Sequence, residues 1–382
     1  MKKTFLNTAR LLVGILFIFS GLIKANDPLG LSYKMQEFFE VWHMPVFDAY
    51  TLIFSVIIIA FEILAGVAVI LGWRMKLFAW LLLLLIIFFS FLTGYAVVSG
   101  KIRECGCFGN CIPLQAKQSF IKDLILLLLI VILFIYRKEI KPVAASGNSL
   151  LILVLTLISS FYLQWYTLQY LPIVDCLPFK KGANIMEKMK PPLGAIPDST
   201  VIHFVYVKNH QTMEYTADQL PADLDSSYLF IRRYDKLIRK GNAEPEIKDF
   251  SLNSESGTDS TMQILTKPGY QLFLISQSFP ESGPHWNKDF ISLYTLAKSR
   301  HIPVSLVSSN RPEAVAYLEA NALSSLIPVF GCDATAVKTA ARADPTLYLL
   351  KKGTILDKWS FAKLESALPA IAELPEQKSE TP

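Results

Sequence analysis

Five apolar stretches, each close to the length of a membrane-spanning helix, most constrain what this chain can fold into. They lie at approximately 5–24, 51–73, 77–98, 120–136 and 150–170. Crossing a hydrocarbon core takes roughly 20 apolar residues in a helix. The first stretch follows Lys2 and Lys3 and also resembles a secretory signal, but Lys24 interrupts the region where cleavage would occur. The sequence therefore predicts five membrane spans and a lipid bilayer as the first partner.

The charges support this interpretation. Hydrophobic residues make up 52% of the chain and charged residues 18%, whereas soluble chains carry about 25% charged residues. The first 171 residues contain 14 Lys/Arg and 8 Asp/Glu, so the net charge of +5 belongs to the apolar part. A nucleic-acid-binding protein needs a clustered basic face. No nucleic-acid partner is expected.

Basic residues beside the spans predict the orientation of the chain. Loops on the cytoplasmic side are enriched in Lys and Arg. The N-terminal tail and the connections after the second and fourth spans are basic, through Lys2, Lys3, Arg74, Lys76, Arg137, Lys138 and Lys141. We expect a multi-pass protein of the bacterial inner membrane with a cytoplasmic N-terminus. The loop at 100–119 and everything after the fifth span would then face the periplasm.

The chain becomes soluble in composition from about Pro172. A stretch rich in Pro, Lys and Gly at 172–198 resembles a linker, and alternation at 201–207 and 212–215 predicts a hairpin. Farther on, apolar strands at 270–278 and 302–308 alternate with helical patterns at 286–299 and 311–322, and a second hairpin is expected at 346–350 and 354–358. This order predicts an α/β domain.

Three cysteines lie within seven residues of the loop after the third span, and a fourth follows the fifth span. They are Cys105, Cys107, Cys111 and Cys176. Both segments are expected at the same, oxidising membrane surface, where neighbouring thiols do not normally stay reduced. Gly106 and Gly109 allow the tight turn that would bring the sulfurs together. These cysteines are the candidate redox thiols, and Cys107, which has a cysteine on either side, is the candidate attacking thiol.

Several chemistries are open for this cluster. The four cysteines could form a dithiol–disulfide centre that passes electrons between a soluble protein and a membrane acceptor. They could instead form a structural disulfide that holds the loop, or be incidental. A metal site is disfavoured, because the C-x-C-x3-C spacing is not the paired C-x2-C of zinc sites and the loop lacks His.

Glu62 is an acid well inside the second span, about 16 Å deep at 1.5 Å per residue. An acid inside a membrane is costly and usually faces a helix interface or a polar cavity. One interpretation is a proton acceptor or part of a quinone site. The other is a protonated or hydrogen-bonded carboxyl that locks two helices together.

The first 140 residues resemble the DoxX-like superfamily, and more narrowly the MauE family of methylamine-utilisation membrane proteins. The matching residues are Gly21-Leu22-Ile23-Lys24 with Asp27-Pro28, then Glu62 with Gly66 and Gly72, and Cys105-Gly106-Cys107-Phe108-Gly109. The resemblance implies a four-helix bundle similar to quinone-linked disulfide-forming proteins, and so a quinone as a possible cofactor. This sequence departs from those proteins because it has no CxxC pair.

The region from Ile247 resembles the thioredoxin fold in its TlpA/peroxiredoxin-type variant. The matching residues are Ile247-Lys248-Asp249-Phe250-Ser251-Leu252 with Gly257, and Asp344-Pro345-Thr346, where Pro345 corresponds to the cis-proline. The segment 279–286, where a redox thioredoxin carries its CxxC, contains no cysteine. Cys332 is expected to be a buried structural residue.

The predicted fold is an α-helical membrane bundle of four helices plus a fifth span, followed by an extracytoplasmic thioredoxin-like domain. We expect the bundle at 1–142, the fifth span at 143–171, a linker and small β-rich segment at 172–245, the thioredoxin-like domain at 246–374 and a polar tail at 375–382. The functional hypothesis is extracytoplasmic thiol–disulfide or quinone-linked redox chemistry with a protein partner. The alternative is a non-enzymatic binding or assembly module with structural disulfides, and a transporter is weakly supported because the chain has no repeat symmetry.

Overall fold

The computed structural model describes residues 2–102, 106, 108–197, 199–209, 211–221, 224–239, 241, 243–279, 286–323 and 326–377. The chain forms a helical bundle and then an α/β domain, and this order confirms the predicted fold class. The bundle consists of α1 (Lys2–Asn26), α2 (Pro28–Val41), a 3-10 helix (Pro45–Tyr50), α3 (Thr51–Leu71), α4 (Met75–Ser99), α5 (Ala116–Ile135) and α6 (Ser146–Tyr170).

Five of the described helices, α1, α3, α4, α5 and α6, are long and apolar enough to cross a membrane. They coincide with the five predicted spans and imply association with a lipid bilayer. Helix α1 packs along α3 at small residues, where a Cβ atom on Gly66 would lie only 2.8 Å from the carbonyl oxygen of Gly14. Such small residues allow close helix contacts in membranes.

Helix α2 was not predicted, and it lies between the first two spans. Its start follows from two residues with known preferences for helix N-termini. The side chain of Asp27 accepts a hydrogen bond from the backbone N–H of Gly30, and Pro28 occupies the first turn. The helix is short and mixed in polarity, so its apolar content does not distinguish it from a loop.

The α/β domain is built on a five-stranded sheet of order β6-β5-β4-β7-β8. Its strands are β4 (Tyr270–Ser276), β5 (Val304–Ser308), β6 (Val329–Gly331), β7 (Thr346–Lys351) and β8 (Thr354–Ser360). Strands β4, β5 and β6 are parallel, whereas β7 and β8 run antiparallel to their neighbours. This is the strand arrangement expected of a thioredoxin-like domain.

Helices cover both faces of this sheet. One face packs against α9 (Asn287–Ser299), α10 (Arg311–Ala320) and α12 (Ala367–Ala372), and the other against α7 (Ile185–Lys188), α8 (Thr261–Leu265) and α11 (Ala334–Ala340). Side chains alternate accordingly, since Leu272 and Leu274 lie in the first core and Phe273 and Ile275 in the second.

Part of the segment expected as a linker packs into the α/β domain. Phe179 and Ile185 are fully buried in the same core as Phe250. The backbone N–H of Gly182 and that of Ile185 donate hydrogen bonds to carbonyls at the β7–β8 hairpin. The domain core therefore includes residues that precede 246.

A separate three-stranded antiparallel sheet, of order β2-β1-β3, is formed by the part of the chain between α7 and α8. Strands β1 (Ser199–Lys208) and β2 (Gln211–Thr216) form the predicted hairpin. Strand β3 (Leu229–Arg239) was not predicted, because charged residues interrupt its apolar alternation and it is largely exposed. It pairs with β1 through an irregular register between Val205 and Tyr206.

Candidate functional site

A disulfide joins the bundle loop to the segment after the fifth span. Cys111 lies between α4 and α5, and Cys176 lies six residues beyond the end of α6. Their Cα atoms are 4.8 Å apart, and both residues are partly buried. The structure thus brings together two of the four candidate thiols, while Cys105 and Cys107 lie outside the described residues.

The loop reaches this position through a tight turn. Gly106 and Gly109 have φ angles of 66° and 55°, and the backbone N–H of Gly109 donates a hydrogen bond to the carbonyl of Gly106. Such left-handed conformations favour glycine. The turn places Asn110 and Cys111 next to the end of α1, where Asn110 contacts Asp27.

Asn26, the last residue of α1, holds the segment that carries Cys176. Its side-chain amide donates to the carbonyl of Val174 at 2.8 Å, and its side-chain oxygen accepts from the Val174 N–H at 2.9 Å. One side chain thus pairs with both backbone groups of a residue two positions before Cys176.

Asp27 contacts the segment that carries Cys111. Its carboxylate accepts a hydrogen bond from the side-chain amide of Asn110 at 3.2 Å, and Asn110 is adjacent to Cys111. Arg342 of the α/β domain donates through Nε to the same carboxylate at 3.2 Å. Only 6% of the Arg342 side chain is exposed. The ion pair therefore links the bundle, the cysteine loop and the α/β domain.

The same region of the α/β domain contacts helix α2 through Tyr33. The Tyr33 ring lies within cation–π distance of two side chains, with Lys338 Nζ at 5.3 Å and Arg342 Cζ at 5.0 Å from its centroid. Gln277, just after β4, donates to the Tyr33 hydroxyl at 3.1 Å. Burial in this contact raises the pKa of Tyr33.

These contacts involve the surface beside the cis-proline. The Asp344–Pro345 peptide bond is cis and directly precedes β7. The Asp344 carboxylate accepts from the Gln277 N–H at 2.9 Å and from the Ser276 hydroxyl at 2.7 Å, and burial raises its pKa. Helix α2 therefore lies against the surface of the domain beside the cis-proline.

Cys332 does not contribute a reactive thiol. It is free and 8% exposed, within the core that contains Phe250 and Val337. Burial raises its pKa to about 11, so the thiolate is disfavoured at neutral pH. In the segment that replaces the CxxC, the described ends Phe279 and Trp286 are buried in the other core, and 280–285 lie outside the described residues.

Glu62 forms a buried ion pair with Lys24. Lys24 Nζ lies 2.6 Å from Glu62 Oε1, and the two side chains are 4% and 2% exposed. The Ser20 hydroxyl is 3.5 Å from the other carboxylate oxygen. This geometry corresponds to the interhelix lock, one of the two interpretations of Glu62. Lys24 and Glu62 both belong to the residues that match the MauE family, but their pairing was not predicted from the sequence.

A second acid of the bundle was missed. Asp123 on α5 is 1% exposed, accepts a hydrogen bond from the Thr93 hydroxyl at 3.0 Å and lies 2.6 Å from Lys122 Nζ. It lies three residues after the start of the predicted fourth span, a position where a charged residue is easily taken for the polar edge of the span. Its signal was a carboxylate next to a lysine at the start of an apolar run.

The space between the two ion pairs does not suit a quinone. Glu62, Lys24, Lys122 and Asp123 line a cavity of about 20 Å3 together with apolar side chains such as Phe108. On the same measure, a cavity that holds a single water molecule has a volume of about 10–15 Å3, so this cavity has room for little more than one water. A quinone ring is several times larger than a water molecule, so the described residues around Glu62 do not fit that cofactor.

The bundle combines the end of α1, the buried Glu62 and the glycine-containing cysteine loop in one unit. Residues 2–136 match the family of methylamine utilisation protein MauE. Residues 200–240, which form the three-stranded sheet, match a domain family of unknown function, DUF8463. The match confirms the family resemblance of the bundle.

A relative with a matching segment is protein TlpB of Flavobacterium psychrophilum. It is 29% identical over 130 residues, which is 33% of this chain and 35% of that protein. The chain thus matches about a third of that relative's length. No solved structure matches the chain. Together the comparisons support a MauE-type bundle in a membrane-associated chain.

Proposed function

We propose that this protein exchanges disulfides with an extracytoplasmic protein through the cysteine loop of its MauE-type bundle. The observation that carries the proposal is the Cys111–Cys176 disulfide, which joins that loop to the segment after the fifth span. Both cysteines are partly exposed, as exchange with a protein partner requires.

The exchange needs only a protein dithiol as its co-reactant. A thiolate of the partner attacks one sulfur of the Cys111–Cys176 bond, a mixed disulfide forms, and the other cysteine leaves as a thiolate. The second thiol of the partner then attacks the mixed disulfide. The partner loses two electrons and two protons and gains a disulfide, while Cys111 and Cys176 become thiols. A more oxidising protein disulfide reverses these steps and restores the bond.

Cys107 is the proposed internal attacking thiol. Its thiolate would attack Cys111, form a Cys107–Cys111 disulfide and release the Cys176 thiolate, an internal exchange in which no electrons leave the protein. The reverse attack by Cys176 on Cys111 restores the Cys111–Cys176 bond, which is the bond that oxidises the partner. Cys105 is the proposed resolving thiol for Cys107. Lys101, which precedes this loop, favours thiolates by its positive charge.

The position of the basic residues supports an extracytoplasmic site. At the end of the bundle away from the disulfide, Lys2 pairs with Glu139, and Arg137 lies in the adjacent connection. Basic connections are typical of the cytoplasmic side. The proposed arrangement is an inner-membrane protein with a cytoplasmic N-terminus and a periplasmic α/β domain.

Trapping of the mixed disulfide tests this proposal. We expect Cys176→Ala and Cys111→Ala to accumulate a covalent adduct with an oxidised partner in the membrane, because the remaining cysteine attacks the partner's disulfide and the thiol that would resolve the mixed disulfide is missing. Cys332→Ala is the matched control, since Cys332 is buried in a separate core, and it should trap nothing. The absence of any adduct in every loop variant, with unchanged host phenotype, would refute the exchange.

A second candidate function is a non-enzymatic assembly module. The observation that favours it is the contact between α2 and the surface beside Pro345, together with the missing cysteine at 279–286. In that case Cys111–Cys176 would be a structural bond. It would stay fully oxidised in membranes and resist mild reductant, and its removal would lower stability without affecting any exchange.

A further inference from the structure

We infer that Asn26 and Asp27 are positioning residues that keep Cys111 and Cys176 close together when the bond between them is open, and that Arg342 fixes Asp27 in place. The inference rests on the proposed function for its purpose. The equilibrium constant for closing the Cys111–Cys176 bond can be measured separately from any exchange with a partner.

The two residues are consecutive in the chain, yet each holds a different cysteine segment. Asn26 pairs with both backbone groups of Val174, two residues before Cys176. Asp27 accepts from the side chain of Asn110, one residue before Cys111. The end of α1 is therefore a common support for two segments that are 65 residues apart in sequence.

Helix geometry keeps this support rigid. Asn26 ends α1, a helix packed along α3 through its length, and Asp27 caps α2 through the N–H of Gly30 at 3.1 Å. A side chain fixed between two helix ends loses little further freedom when it binds a loop. The anchors do not involve the sulfur atoms, so they can persist after reduction.

The α/β domain completes the support. Arg342 brings a buried positive charge to Asp27, and Lys358 of β8 lies 2.7 Å from Asp175, the neighbour of Cys176. The domain thus contributes one cation to Asp27, which holds the Cys111 segment, and one directly to the Cys176 segment. We assign it a positioning role at the bundle disulfide.

This arrangement has a defined redox consequence. Closing a disulfide from a dithiol depends on how often the two sulfurs meet, and anchors that survive reduction raise that effective concentration. If the anchors are removed, the reduced form gains freedom and closure becomes less favourable. Loss of one net hydrogen bond changes such an equilibrium by roughly fivefold, and Asn26 makes two hydrogen bonds to Val174.

The test measures the redox equilibrium of full-length protein, in detergent or in membrane vesicles, with defined ratios of reduced and oxidised glutathione. Alkylation and mass mapping give the fraction of Cys111 and Cys176 in each state. For Asn26→Ala we expect the closing constant to fall about tenfold, which corresponds to about 30 mV for this two-electron couple. Asn148→Ala, at an exposed asparagine at the start of α6, is the matched control and should leave the constant unchanged.

Two substitutions at Arg342 test whether its positive charge holds Asp27 in place. Arg342→Ala should lower the closing constant severalfold, and Arg342→Lys should recover part of the loss because it retains the cation beside Asp27. A purely structural role would move the unfolding temperature without this ordered recovery of the redox constant. If Asn26→Ala or Arg342→Ala fails to fold, Asn26→Asp keeps one of the two bonds to Val174 and should give an intermediate constant.

Constants within twofold of the parent protein for Asn26→Ala, Asn26→Asp and Arg342→Ala would overturn the inference. Its failure is distinguishable from failure of the proposed function. A shifted closing constant without any trapped partner would contradict the proposed exchange and support the positioning role. A trapped partner with unshifted closing constants would support the exchange and contradict the positioning role.

Discussion

Lys24 Nζ lies 2.6 Å from Glu62 Oε1 in the interior of the bundle, where neither side chain is more than 4% exposed. The pair connects the last turn of α1 to the middle of α3. Removing one partner of a buried pair leaves an uncompensated charge, which commonly costs about 3–5 kcal/mol. The same α1 end carries Asn26 and Asp27, so this pair also fixes the position of the cysteine site.

The first prediction concerns this pair. Lys24→Met should lower the free energy of unfolding in detergent by about 3–5 kcal/mol, because it leaves Glu62 charged and buried. The double variant Lys24→Met/Glu62→Leu should recover much of the loss. Lys2→Met, which breaks the exposed pair with Glu139, is the control and should have little effect. A fully stable Lys24→Met protein would contradict a stabilising role for the Lys24–Glu62 pair.

The second prediction concerns topology. A reporter enzyme that works only in the periplasm should be active when fused after Tyr170, because basic residues flank the opposite end of the bundle. The same reporter fused in the connection between α5 and α6, after Lys141, should be inactive. The reverse pattern would place the disulfide on the cytoplasmic side and remove the basis for extracytoplasmic exchange.

The third prediction concerns the extent of the α/β domain. A fragment beginning at 177 should be more stable than one beginning at 246, because only the longer fragment contains Phe179 and Ile185. Burial of each such side chain contributes roughly 1.5–3 kcal/mol. Denaturant unfolding of the two fragments measures the difference. The longer fragment with Phe179→Ala should lose part of its advantage, and equal midpoints for all three would contradict the packing described above.

The fourth prediction concerns Cys332. Burial raises its pKa to about 11, above that of an ordinary cysteine at about 8.5, so the folded protein favours the neutral thiol. The contribution of this thiol to the free energy of unfolding is fully present below its pKa in the unfolded state. It is lost as the pH rises through its pKa in the folded state. At pH 8, Cys332 should therefore resist alkylation until denaturant is added.

A cysteine on an exposed turn should be alkylated much faster, so a Ser256→Cys variant, at an exposed position in a polar turn of the same domain, provides the comparison. Equal rates for Ser256→Cys and Cys332 in the folded protein would show that Cys332 is accessible. The assay is read by mass mapping of the two peptides.

Several features of the fold were predictable because they depend on composition within one segment. The five spans follow from apolar length alone, and each is present within a few residues of its expected position. Strands β4, β5, β7 and β8 were also expected, since their apolar runs are bounded by turn residues. Strand β3 and helix α2 were missed, because their patterns are mixed and their stability comes from neighbours.

The sequence by itself determined a membrane bundle with a cysteine loop, an acid within a span, and a C-terminal α/β domain without a CxxC. Only the tertiary structure decided that Cys111 pairs with Cys176, that Lys24 neutralises Glu62, and that Arg342 reaches Asp27. The physical reason is range. Hydrophobic length and periodicity act over a few turns of chain, whereas each of these contacts joins residues separated by dozens to hundreds of positions, whose meeting depends on how the helices and the domain pack.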